Sequence, residues 1–169
     1  MMPPKGGDRG PRRPLQKKDE FNENVLDVRR VTRVTAGGKR FRFRATVIIG
    51  DGRGRVGVGI AKGLDVQQAV QKARSQAKRE VISVPLKGRT IVHEVEAKFS
   101  AAHVRLKPAK AGHGLIAGGA SRAVLSLAGI KDIAAKTLGR TPNKLTNALA
   151  TVEALKKLRR EKPKAIEVK

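Results

Sequence analysis

Apolar and polar residues alternate one for one from Arg40 to Val47. Phe41, Phe43, Ala45, Val47 and Ile49 fall on one side, and Arg40, Arg42, Arg44 and Thr46 on the other. A period of two predicts a strand with one buried face; here the outer face carries a ladder of arginines. Gly50-Asp51-Gly52-Arg53-Gly54 predicts a tight turn, because glycine and aspartate tolerate positive φ. A second strand follows, with Val56, Val58 and Ile60 inward. Its other face, Arg55, Gly57, Gly59 and Ala61, is nearly bare backbone, which would let a large anion come close. Upstream, residues 25–36 alternate imperfectly and predict a first strand with a bulge. Gly37-Gly38 then turns the chain into the arginine strand.

After Gly63 the spacing becomes helical. Val66, Ala69, Val70, Ala73, Ala77 and Val81 share one face. Asp65 and Gln68 have the spacing of a capping box, and the helix stops before Pro85. Three strands and a helix over one apolar sheet face make a two-layer α+β unit. A change of composition at Pro85 to Arg89 marks a boundary. Residues 90–99 alternate again, with Ile91, Val95, Ala97 and Phe99 inward, and residues 102–107 give a partner strand. Residues 108–119 are glycine-rich. A helix starts at about Gly119, buries Ala120, Ala123, Val124, Leu127 and Ala128, and stops at Gly129. Residues 130–137 predict a short strand. Thr141 and Pro142 read as an N-cap and first helical residue of a last helix burying Leu145, Ala148, Leu149, Val152 and Leu155.

Charge changes the picture most. The 169 residues carry a net charge of +24, with a sequence pI near 11.5. That excess implies a polyanionic partner. Aromatic residues are only 2%. Single-strand binders stack bases on aromatic platforms, so readout of backbone and shape is expected. The candidate phosphate contacts are Arg29, Arg30, Arg33, Gly37, Gly38, Lys39 and Arg40 around the first hairpin loop, with Arg42, Arg44, Arg53, Arg55 and Lys62 on the strands. To these are added Gly57 and Gly59 as a backbone platform, and Lys72 and Arg79 on the outer face of the helix. Residues 1–20, rich in proline, glycine and basic side chains, predict a disordered tail, and residues 159–169 a second basic tail. With no apolar stretch near the N-terminus, neither a signal peptide nor a membrane span is expected, and the location expected is cytoplasmic.

Little else suggests chemistry. There is no cysteine, hence no thiolate site. His93, His103 and His113 recur every ten residues, which is no ligand spacing. Gly52-x-Gly54-x-x-Gly57 and Gly112-x-Gly114-x-x-Ala117 satisfy a dinucleotide pattern, but the first runs into a strand, and that pattern has force only where a strand feeds a helix. No cofactor, metal or catalytic group is expected. The rivals are a nucleotide-dependent enzyme, resting on those triplets, and a free RNA or nucleoid chaperone.

Two longer motifs are more specific. Gly37-Gly38, Phe41-x-Phe43-x-Ala45, Gly50-Asp51-Gly52-x-Gly54-x-Val56-Gly57-x-Gly59 and Lys62 come first. Gly112-x-Gly114-x-Ile116-Ala117-Gly118-Gly119-Ala120-x-Arg122-Ala123-Val124-Leu125 and Ala128-Gly129 follow. Together, over about residues 21–158, they resemble the bacterial small-subunit ribosomal protein S-five family. The resemblance implies an N-terminal domain like a double-stranded-RNA-binding domain (21–86) and a C-terminal α+β domain with a left-handed βαβ crossover (87–158). It implies binding to small-subunit ribosomal RNA as a monomer within the ribosome, with ribosomal proteins S-four and S-eight as neighbours. It places the first hairpin loop toward the decoding region, near the messenger entry path. It puts Gly114 and Arg122 at the interface with protein S-four, where changes affect decoding accuracy.

Overall fold

A computed structural model describes residues 20–158; the two predicted tails, residues 1–19 and 159–169, lie outside the described residues. Strands β1 (Asn22–Thr35), β2 (Gly38–Gly50), β3 (Arg55–Gly63) and β4 (Ile82–Ser83) form an antiparallel sheet in that order. The register slips between Val25 and Asp27, so the expected bulge is present. Helix α1 (Val66–Arg79) returns across the sheet. Asp65 is its N-cap, but the side chain makes no capping hydrogen bond, so the expected capping box does not form.

The second part begins with a small hairpin, β5 (Leu86–Lys87) and β6 (Thr90–Ile91). A mixed sheet follows, built from β7 (Val95–Phe99), β8 (Ala102–Pro108), β9 (Leu115–Ile116) and β10 (Ile133–Thr137), in the order β7-β8-β10-β9. The run expected at 90–99 is therefore broken into β6 and β7, and Phe99 is exposed rather than inward. β9 and β10 are parallel, and α2 (Gly119–Leu127) carries the chain between them. Helix α3 (Lys144–Lys156) starts two residues later than expected. Asn143 is its N-cap, its side-chain oxygen accepting from the Leu145 N–H, so Thr141 is not the cap. The α+β class stands: an antiparallel sheet with a helix, then an α+β unit with a mixed sheet.

The first sheet is covered on both faces along part of its length, not on one. Ala45, Val47 and Ile49 pack with Ala69, Ala73 and Ala77 of α1. Ile48, Val56 and Val58 point the other way, into a core shared with Val84, Val104, Leu106, Val124, Leu125, Ile133 and Leu155. The two parts thus have one continuous apolar core. Helix α3 fills it, with Ala148, Ala150, Thr151, Val152, Ala154 and Leu155 all buried, as a helix enclosed on most sides must be.

Gly57 and Gly59 have a different purpose from the one expected. They lie on the α1 side of β3, not on an open surface. A Cβ at Gly59 would come within 3.0 Å of the Ala73 carbonyl oxygen, and one at Gly57 equally close to that of Ala77. The glycines let helix backbone press on strand backbone, and neither is available to RNA. Gly59→Val should therefore destabilise the fold by at least about 3 kcal/mol, the upper range of overpacking, because a main-chain oxygen cannot step aside. Gly37→Ala, in open space, should change stability by under about 0.5 kcal/mol. Urea melts of both variants check this pair.

Candidate nucleic-acid interface

β2 is longer than its neighbour. β3 ends at Gly63, opposite Phe43, so residues 38–42 pair only with β1. The β1–β2 hairpin projects past the sheet as a two-stranded arm of five residue rows, ~17 Å at ~3.4 Å per residue. Here the predicted period holds but the predicted burial fails. Phe43 packs at the margin of the α1 core, whereas Phe41, on the same side, is 49% exposed because β3 ends before it.

Register places the cations. Arg33 is directly opposite Arg40, Val31 opposite Arg42, and Arg29 opposite Arg44, which in turn is opposite Lys62. All point away from α1. One face of three strands therefore carries Arg29, Arg33, Arg40, Arg42, Arg44 and Lys62. Arg33, Arg40, Arg42 and Lys62 line a hollow of about 520 Å³ floored by Val31. Arg29 is tied to Asp27 at 2.6 Å. No described carboxylate pairs with the other five. Like charges directly opposite one another destabilise a sheet. A line of phosphates would relieve that repulsion.

The remaining expected contacts do not join this face. Arg30 and Lys39 lie on the opposite side of the arm, where the Arg30 guanidinium sits 4.8 Å from the centre of the Phe41 ring. Gly37 lies in the open turn at the tip of the arm, and Gly38, paired with Thr35, opens β2. Lys72 and Arg79 line a separate groove along α1, with Gln71, Ser75 and Gln76. Arg53 and Arg55 sit at the far end of the sheet. Arg55 is engaged within the protein, with Asp51 at 2.6 Å, Glu20 at 3.6 Å and the Phe21 ring at 5.0 Å.

That far turn is a joint between the two parts. Asp51 Oδ1 accepts from the N–H groups of Arg53 (2.8 Å) and Arg55 (3.0 Å). Burial pushes the Asp51 carboxyl up, but the bond to Arg55 and the two N–H groups outweigh it and hold it below its ordinary value. The turn's own backbone then docks on the end of α2: Gly52 N–H donates to Leu127 O (3.0 Å) and Gly54 N–H to Ala128 O (2.9 Å). Gly50 and Gly129 admit this contact, since a Cβ on either would strike backbone of the facing segment.

Gly114 and Arg122 belong to the β9–α2 segment. Arg122 is exposed in the first turn of α2, while Gly114 has φ +77 in the loop before β9. The residue that shapes this loop was not anticipated. Asp132 is 1% exposed; its Oδ1 accepts from the N–H groups of Gly114 (2.9 Å) and Gly112 (3.1 Å), and its Oδ2 lies 2.9 Å from Arg89 Nε. A lone acid between the apolar Ile130 and Ile133 was its sequence signal. The open face of the second sheet has a further cluster, in which Glu96 meets Arg105 and His103 and Lys107 reaches Glu94. Among the described residues no group of three histidine, cysteine, aspartate or glutamate side chains is arranged to hold a metal, and no helix is long and apolar enough to cross a membrane.

The site defines a class: a basic α+β protein with a bare cationic strand face and a second part locked to it through backbone. Comparison with known proteins assigns the family. Residues 21–85 match the description "Ribosomal protein S5, N-terminal domain" and residues 97–167 "Ribosomal protein S5, C-terminal domain". The chain is 51% identical over 145 residues to the small ribosomal subunit protein uS5 of Gloeobacter violaceus, spanning 85% of this chain and 65% of that protein. It is 49% identical over 140 residues to the protein of that name from Thermus thermophilus, spanning 83% of this chain and 86% of that one. The chain belongs to the ribosomal protein S5 family.

The Asp132 clamp carries a pH signature. The Gly114 N–H, with the Arg89 charge and the Gly112 N–H, holds its carboxyl below the ordinary value of 3.8, against the opposing effect of burial. A carboxylate depressed on folding contributes stability that is fully present above the unfolded value and is lost as pH falls through the folded one. Asp132→Asn should therefore be less stable than wild type at neutral pH, with the gap closing as pH falls below 3.8. Urea melts at neutral pH and in steps below that value measure it. A gap independent of pH would show that the charge does not hold the loop.

Proposed function

We propose that this protein is a structural constituent of the small ribosomal subunit, cytoplasmic and monomeric within the particle, that binds ribosomal RNA and carries out no chemistry. The observation that supports the reading best is the cationic face, with five cations from three adjacent strands that have no partner among the described carboxylates. A phosphate backbone is the partner whose charge spacing repeats along such a row. Gly57 and Gly59 are left out of the RNA contacts for the reason given above, and Arg55 is committed to Asp51 and Glu20. In this reading the first part (21–86) supplies the RNA face, and the second (87–158) supplies the partner surface through Gly114 and Arg122. The family resemblance supports ribosomal proteins S-four and S-eight as neighbours, and a position of the arm toward the decoding region and messenger entry, where it would help keep decoding accurate.

Sucrose-gradient sedimentation of the tagged chain tests the reading. A ribosomal constituent travels with the small subunit through high-salt washing. A free RNA chaperone stays near the top and binds any duplex comparably. The face itself is tested by replacing Arg40, Arg42 and Arg44 with alanine. Each phosphate contact contributes roughly 0.7–0.9 to the slope of log K against log salt, so the triple variant should flatten that slope by about 2–3. Its stability should stay near that of wild type or rise, because like charges are removed and little packing is lost. An unchanged slope would remove the ladder from the RNA interface.

A further inference from the structure

We propose that Phe41 and Arg30 form a stacking subsite for one unpaired nucleobase, on the side of the arm opposite the arginine ladder. The proposal rests on the RNA-binding reading above and refines it. Phe41 is 49% exposed on a segment that neither β3 nor α1 covers. Its neighbour on the same side, Phe43, already ends the α1 core, so Phe41 adds nothing to that core's closure. The Arg30 guanidinium lies over one face of the ring, 4.8 Å from its centre, a diagonal cross-strand contact that steadies the ring and adds positive charge to the site.

The choice of occupant follows from charge. Arg30 and Lys39 share this side with Phe41, and Arg40 and Arg42 adjoin it in sequence on the other. An apolar protein partner would gain the ring but meet an uncompensated positive field. RNA offers both an anionic backbone and flat apolar rings. Stacking needs the base unpaired, so the subsite reads a loop or bulge while the ladder holds the adjoining phosphates. The low aromatic content does not oppose this, since one ring is sufficient for one base.

The test uses the full chain with two RNA probes: a hairpin whose loop carries 2-aminopurine, and the same helix without unpaired bases. Wild type should alter the 2-aminopurine fluorescence. Phe41→Leu, which keeps an apolar side chain but removes the π face, should weaken loop binding roughly 5- to 150-fold, the range of base–aromatic stacking. Binding to the closed helix should be unchanged. The salt slope should also be unchanged, because no phosphate contact is lost, and urea stability should hold. Equal binding of Phe41→Leu and wild type to the loop overturns the subsite, as does an equal loss on both probes or a fall in stability, which would make Phe41 a prop for the hairpin. Intact RNA binding with impaired incorporation into subunits would assign the ring to a protein partner and overturn it too. In each case the salt dependence of wild-type binding separately reports whether the RNA reading itself stands.

Discussion

The close approach of α1 to β3 sets the limits of everything else. Gly57, Gly59 and Gly63 face Ala69, Ala73 and Ala77 so tightly that a Cβ on any of these glycines would fall within 3.0 Å of helix backbone. Such contact requires small residues on both sides, and between β3 and α1 these run from Gly57 to Ala77. The helix is thereby bound to the stretch of sheet that β3 serves. It has no reach over residues 38–42, so the arm remains bare on both faces. The position of the glycines thus decides where core ends and working surface begins.

A second backbone contact fixes the opposite end. The β2–β3 turn donates two N–H groups to the last carbonyls of α2, which would otherwise be left without partners. Asp51 shapes the turn for this docking by accepting from the Arg53 and Arg55 N–H groups. Because the joint is backbone on backbone and the core beneath is continuous, the two parts have little freedom to rotate. Arg122 and the arginine ladder therefore keep a set relation. That matters for a protein expected to meet RNA on one side and another protein on the other.

Much of this was legible in residue order. The period of two separated Phe41, Phe43, Ala45, Val47 and Ile49 from Arg40, Arg42, Arg44 and Thr46 as the register of β2 does, and the period of 3.6 after Gly63 located α1. Burial was not legible, because it depends on what lies across each face. Thr46 and Phe41 show the two directions of error: Thr46 fell on the side read as open and is 3% exposed, while Phe41 fell on the side read as closed and is half exposed. Gly57 and Gly59 were ambiguous for the same reason. A missing side chain admits either a ligand or a neighbouring helix, and only the path of the chain after Gly63 chooses. Asp132 escaped because its partners are backbone N–H groups 18 and 20 residues away, and these have no sequence signature.

The arrangement also places the electrostatic cost where the fold tolerates it. The cross-strand pair Arg33–Arg40 lies on the two-stranded arm, and Arg29–Arg44 at its base, where Asp27 offsets Arg29. A two-stranded hairpin has little independent stability, so repulsion there loosens the arm before it reaches the core, which is neutral and shared by both parts. The same repulsion near Val56 or Val58 would act on the whole molecule. Concentrating cations that lack a described carboxylate partner on the least supported segment lets the free protein fold with a bare cationic face. It also means that an anion neutralising the face stabilises the arm most, so binding and local order are coupled through the same charges.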